Sequence, residues 1–345
     1  MMMYELLNVL YVQTQGAVLH LDHDTVRVDV EREMWLRVPL IRLSGIVVCG
    51  QVTVTPFLIQ RCAEDGRSLV WLDRNGRFKA RVEGKTRGNV LLRRAQHLAL
   101  SDIERRSVIG RQIVAAKIQN SRQVLLRAAR EATDETDKLA LTEAAARLVV
   151  ILKRLHGLSD LDIIRGAEGE AARAYFGVFG HMVRGDRTTF NLDGRTRRPP
   201  RDRANSLLSF LYALVRAECS SALEGVGLDP QVGYLHALRP GRPALALDLM
   251  EEFRPIIADR LAITLINRRQ LNAEHFEETP GNAVLLTDEG RRSVIVEYQR
   301  RKEEEIQHRV LKQKVPLGLI PYVQARLLAR YLRGDLPHYP PFLYR

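Results

Sequence analysis

A change of hydrophobic period between residues 84 and 100 constrains this chain more than any single residue does. From Tyr4 to about Glu83, short apolar runs alternate with turn residues at Val18 to Asp22, Thr25 to Val30, Trp35 to Leu43, Gly45 to Cys49 and Ser68 to Leu72. That is the period of strands. A short helix is expected behind Pro56, and Arg74-Asn75-Gly76 should turn the strand ending at Asp73 into another at Arg77 to Glu83. Beyond Gly88, the segments Asn89 to Leu100, Ser101 to Glu131 and Asp134 to His156 carry long 3.6-residue patterns rich in Ala, Leu and Arg. Ser101 with Glu104 reads as a capping box. Further helices are expected at Asp160 to Met182, Arg203 to Glu224, Leu245 to Arg269, Arg300 to Gln313 and Leu319 to Arg333, with one hairpin around Asp288-Glu289-Gly290. The fold class is therefore α+β in two domains. Residues 1–88 form a small β-rich, sandwich-like N-terminal domain, and residues 89–345 form a large, mainly α-helical C-terminal domain.

Two domains also suit a length of 345 residues, which exceeds what one core comfortably serves. Apolar residues make up 46% and charged residues 27%, so a disordered or fibrous chain is excluded. The formal charge of +12 favours a polyanionic partner, and the excess of Arg over Lys tilts this toward phosphate. Cys49, Cys62 and Cys219 form no C-x-x-C pair, so neither a disulfide framework nor a thiolate zinc site is expected, which fits a reducing cytoplasm. The N-terminus lacks the pattern of a signal peptide, and no run of about 18 apolar residues is present, so no membrane-spanning helix is expected.

There is no P-loop, no G-x-S-x-G elbow and no H-E-x-x-H pair. Gly225-Val226-Gly227 follows a helix and reads as its C-terminal cap. Three segments remain. In Arg165-Gly166-Ala167-Glu168-Gly169-Glu170, a glycine on each side of Glu168 costs about 1 kcal/mol relative to Ala in a helix. That cost implies close approach by another backbone or by a ligand. Glu170 should point to a different face. The segment Gly227 to His236 delivers a single histidine from a turn-rich stretch. In Leu245 to Pro255, Asp248, Glu251 and Glu252 are spaced to share one helical face, where they repel unless a cation compensates. One imidazole with two or three carboxylates suits Mg²⁺ or Mn²⁺ better than zinc, and phosphodiester displacement is chemistry such a site performs. Arg184, Arg187, Arg195, Arg197, Arg198 and Arg201 lie in or beside the polar loop 185–201, the densest basic segment, and are the candidate DNA-binding residues.

Gly166-Ala167-Glu168-Gly169 with Ala172 and Tyr175, Pro200 to Ser209, Leu228-Asp229-Pro230 leading to Gly233-Tyr234-Leu235-His236, and Asp248 to Pro255 occur in this order behind a β-rich N-terminal domain. In this the chain resembles the CRISPR adaptation integrase family over nearly its whole length. The resemblance implies that Glu168, His236 and Glu251 are catalytic ligands of Mg²⁺ or Mn²⁺, with Asp248 auxiliary. Because the family varies between Glu and Asp at the third ligand, the choice between Asp248 and Glu251 stays open. It implies a homodimer built through the β-domain and a heterohexamer with a small ferredoxin-like companion protein. It further implies double-stranded and branched DNA as substrate, with the 3′ hydroxyl of a captured fragment joined to the repeat by transesterification. Two alternatives use the same residues differently: a general metal-dependent nuclease acting on branched DNA in repair, and a non-catalytic DNA-binding scaffold.

Overall fold

A computed structural model describes residues 8–73, 78–82, 84, 90–192, 194–196 and 199–344. The chain divides into two compact units, Met1–Gly88 and Asn89–Arg345. The first holds β1 (Asn8–Val12), β2 (Val18–Asp22), β3 (Thr25–Val30), β4 (Glu33–Pro39), β5 (Leu43–Cys49), β6 (Thr53–Val54), α1 (Pro56–Asp65), β7 (Ser68–Leu72) and β8 (Phe78–Val82). They form two four-stranded sheets, ordered β1-β5-β7-β8 and β4-β3-β2-β6. In the first, β1, β5 and β7 run parallel and β8 antiparallel; in the second, β6 runs parallel to β2. The turn expected at Arg74-Asn75-Gly76 lies outside the described residues.

Ile46, Val47, Val48 and Cys49 of β5 are all buried, the continuous apolar run of a strand covered on both faces. In β3, Val26, Val28 and Val30 are buried while their neighbours are not, so that sheet covers the core with one face. Leu19, Val28, Ile46, Leu69 and the α1 residues Leu58 and Cys62 share one core. The strand expected at Trp35 to Leu43 instead spans Glu33–Pro39 and gives way to a 3₁₀ turn, Leu40–Arg42. Pro39, with no N–H for the ladder, marks the change.

The second unit holds α2 (Val90–Ser101), α3 (Ile103–Glu131), α4 (Glu135–Leu155), α5 (Leu161–Phe176), α6 (Arg203–Gly225), α7 (Ala244–Met250), α8 (Arg260–Asn267), the strand pair β9 (Phe276–Glu278) and β10 (Val284–Leu286), α9 (Asp288–Glu303), the strand pair β11 (Glu305–His308) and β12 (Gln313–Pro316), and α10 (Ile320–Arg333). Four helices start on an aspartate whose side chain accepts backbone N–H groups: Asp102, Asp134, Asp160 and Asp202 for α3, α4, α5 and α6. Each such cap contributes about 1 kcal/mol. Asp102 thus replaces the expected Ser101–Glu104 capping box; the Ser101 hydroxyl instead donates to the His97 carbonyl at the end of α2.

Four further expectations change. The helix expected at Asp160 to Met182 ends at Phe176 and continues only as a 3₁₀ turn, Phe179–Met182. The long helix at Leu245 to Arg269 is three pieces, with a π-helical segment, Arg254–Asp259, between α7 and α8. Asp288-Glu289-Gly290 is not a hairpin turn but the first turn of α9, capped by the Thr287 hydroxyl. Gly290 is required there by packing, since a Cβ would lie 2.4 Å from the His275 carbonyl oxygen. The helix expected at Arg300 to Gln313 ends at Glu303, and the following residues form the β11–β12 hairpin. No helix among the described residues is long and apolar enough to cross a membrane.

Candidate metal centre

Glu168 projects from α5, Asp248 from α7, Glu251 from the turn after α7, and His236 from the loop 228–236. The loop is fixed from several sides. Gln96 of α2 donates to the carbonyls of Asp229 and Val232 and accepts from the Asp229 N–H. Arg106 donates to the Tyr234 carbonyl and Arg165 to that of Leu235. At Gly233 the loop lies on the start of α7, where a Cβ would stand 2.5 Å from the Ala244 carbonyl carbon. Only glycine permits that approach.

Asp248 then sets the histidine. Fully buried, it accepts the Tyr234 and Leu235 N–H groups at 2.6 and 2.9 Å on Oδ2, and the His236 N–H at 2.9 Å on Oδ1. The His236 ring Nδ1 lies 2.6 Å from the same Oδ1. A carboxylate so placed favours a proton on Nδ1, the tautomer in which Nε2 is the nitrogen that can bind a metal. Nε2 stands 3.9 Å from Glu251 Oε1.

Glu251 is buried, its Oε1 2.6 Å from Arg254 Nη1 and its Oε2 2.7 Å from Lys117 Nζ. Lys117, on α3, also contacts Glu168. Burial alone would raise the Glu251 carboxyl, but the positive charges of Arg254 and Lys117 outweigh it and hold the group at about 2. Glu251 is therefore ionised throughout the neutral range. Among the described residues, no three His, Cys, Asp or Glu side chains stand at metal-ligating spacing. The point between Glu168 and Glu251 is taken by the Lys117 ammonium.

The expectation that Asp248, Glu251 and Glu252 share one face is not met, because α7 ends at Met250. Glu252 points away from the site, where it accepts the Tyr339 hydroxyl at 2.6 Å and the Phe342 N–H at 2.7 Å. Gln324 bonds both Glu252 and Tyr339. Asn120, one turn beyond Lys117 on α3, donates to the Glu252 and Phe342 carbonyls. Nor does another backbone approach the glycines flanking Glu168: a Cβ at Gly166 would meet nothing within 4 Å, and one at Gly169 only the Arg173 guanidinium at 3.8 Å. Glu170 does diverge from Glu168, pairing with Arg154.

Of the candidate DNA-binding arginines, Arg195 is turned into the fold, bonded to Asn205 and Ser209 and placed over the Tyr212 ring. Arg184 pairs with Glu131 and Arg187 with the buried Asp137. Arg201 is exposed; Arg197 and Arg198 lie outside the described residues. Sequence reasoning missed Lys117, Arg254, Asn120 and Gln96. Lys117 did carry a signal, being a cation on the same helical face as the buried Val114 and Ser121.

A two-unit α+β protein with a buried carboxylate–imidazole site is the class that fold and geometry define. The chain belongs to the Cas1 family: the family model "CRISPR associated protein Cas1" matches residues 10–300. It is similar to a CRISPR-associated endonuclease Cas1 of Moorella thermoacetica, 57% identical over 99% of this chain and 100% of the relative. A second relative, from Rhodospirillum rubrum, is 49% identical over 99% of this chain and 100% of its own length. The structure of a Cas1 protein from Thermotoga maritima superposes with a TM-score of 0.79 at 25% identity, covering 94% of this chain and 97% of that one. A casposase bound to integration product shares the fold, with a TM-score of 0.83 at 23% identity over 98% of this chain and 94% of the other.

Two buried carboxyls near the site titrate in the opposite direction from Glu251. Burial pushes Glu252 up to about 7 and Asp259, which accepts the Tyr212 hydroxyl, up to about 6. Both bind protons more tightly folded than unfolded, so the stability they contribute is complete below about pH 4 and is lost as pH rises through 6 and 7. Melting curves at pH 5 and pH 8 should show the wild type losing roughly a few degrees more than Asp259→Asn; equal losses would refute the assignment.

Proposed function

We propose that this chain is a metal-dependent DNA endonuclease and integrase of CRISPR adaptation, with Glu168, His236 and Glu251 as ligands of Mg²⁺ or Mn²⁺. The observation that carries the reading is the convergence of Glu168 and Glu251 on one positive charge, beside an imidazole whose Nε2 is freed by Asp248. The donor set, oxygen-rich with one nitrogen, fits a hard divalent ion. Asp248 is consumed by three backbone N–H groups and the His236 ring, which favours Glu251 as the third ligand and gives Asp248 the role of orienting His236.

When bound, the ion supplies the charge stabilisation and hydroxyl activation that phosphodiester displacement needs. The chain's own groups do the rest. Arg254 and Lys117 keep Glu251 ionised, and Asp248 keeps the His236 proton on Nδ1. The open surface of α5 at Gly166 and Gly169 leaves room for a nucleic-acid backbone beside Glu168. Exposed Arg201, the exposed but ion-paired Arg184 and Arg187, and the net charge of +12 favour its approach. The proposed reaction joins the 3′ hydroxyl of a captured fragment to a repeat phosphate by transesterification.

The related proteins are named CRISPR-associated endonucleases, and one structural neighbour is a Cas6-RT-Cas1–Cas2 complex, which supports a companion subunit for this chain as well. The homodimer is proposed to form through the N-terminal unit, where Met34, Trp35 and Leu36 of β4 are exposed. Sedimentation of Trp35→Asp as a monomer, against a dimeric wild type, is the expected outcome; a dimer in both would move the interface elsewhere.

Strand transfer on a branched DNA with Mn²⁺ tests the activity, reading both the released flap and the newly sealed strand. Glu168→Ala should abolish both while leaving the melting temperature nearly unchanged. Cleavage without sealing in the wild type would favour the repair-nuclease reading, and no activity would favour the scaffold. Calorimetry supplies an independent check: Asp248→Asn should weaken Mn²⁺ binding about 10- to 100-fold, whereas an unaltered affinity would remove Asp248 from the site.

A further inference from the structure

Lys117 touches Glu168 as well as Glu251, and keeping Glu251 ionised does not account for that second contact. Its side chain is 11% exposed, and its partners among the described residues are Glu168 and Glu251. Burying an ammonium costs several kcal/mol unless it is closely paired, so the place of Lys117 on the packed face of α3 depends on these two carboxylates. Its two partners come from separate elements, α5 and the turn after α7. Without a cation between them, the two carboxylates repel across the gap that a metal would fill.

We propose that Lys117 is a positioning residue and the resident counter-cation of this site. Its ammonium holds Glu168 and Glu251 in register before metal arrives, and it competes with the metal for the same point. The inference rests on reading Glu168, His236 and Glu251 as ligands. Lys117 also borders a small cavity lined by Ala171, Tyr175, Tyr212 and Arg254. The charge balance sets the direction of the effect. Three carboxylates, Glu168, Asp248 and Glu251, face two cations, Lys117 and Arg254, which leaves one net negative charge among these five side chains. Removing Lys117 leaves two, matching a divalent ion.

Calorimetric titration of the full chain with MnCl₂ in the absence of DNA tests this. Lys117→Met should bind Mn²⁺ about tenfold more tightly than the wild type, from the loss of one like charge a few ångströms away. Its metal-free form should melt lower than the wild type, and Mn²⁺ should raise its melting temperature by more. Should Lys117→Met fail to fold, Lys117→Gln removes the same charge while keeping a hydrogen-bond donor, and should also bind Mn²⁺ more tightly. A wild type that binds Mn²⁺ with variants that bind it equally or more weakly would overturn the counter-cation role. A wild type with no Mn²⁺ binding would overturn the metal-site reading itself, and the role with it.

Discussion

Four donor contacts converge on the carboxylate of Asp248, and the order of the site follows from them. Three are backbone N–H groups of consecutive residues, Tyr234, Leu235 and His236, so one side chain dictates the course of the loop that bears the histidine. The fourth is the imidazole itself. A buried carboxylate is tolerated only where such donors replace the water it has lost. The loop and the carboxylate therefore depend on each other: neither has a satisfied arrangement without its partner. Gly233 permits the close approach that brings them into range.

A second level of order is electrostatic. Glu251 is buried yet ionised because Arg254, three residues further on, and Lys117 face its two oxygens. The two neighbours in the turn after α7 face different ways: Glu251 faces the histidine while Glu252 faces Tyr339 and Phe342.

Much of this was legible in the sequence, for physical reasons. Alternation in Thr25–Val30 and the 3.6-residue pattern of α3 and α4 state which face of each element is buried, and that information is local. The segments carrying Glu168, His236 and the Asp248–Glu252 run were marked by carboxylates and an imidazole in apolar, glycine-bearing surroundings, and the fold brings them to one place. What escaped is non-local. Gly290 looks like a turn residue and is instead a helical position pressed against His275. The division of Glu251 from Glu252 requires knowing that the helix breaks at Met250. Arg195 reads as one of several loop arginines, and only its placement over Tyr212 distinguishes it. Lys117 lies 51 residues from its partner Glu168, and nothing in its immediate neighbourhood names that partner.

The bond between the Phe342 N–H and Glu252 spans 90 positions of sequence, and that between Asn120 and the Phe342 carbonyl spans 222. Loop closure over such distances cannot be replaced by any local folding event. Glu252, next to the candidate ligand Glu251, is therefore tied through its side chain to a segment synthesised long after Glu168 and His236. During translation, the helices that carry the acidic groups can form and pack while this last anchor is still missing. The candidate centre is in this sense time-ordered, with its final support supplied only when residues 339–344 have emerged.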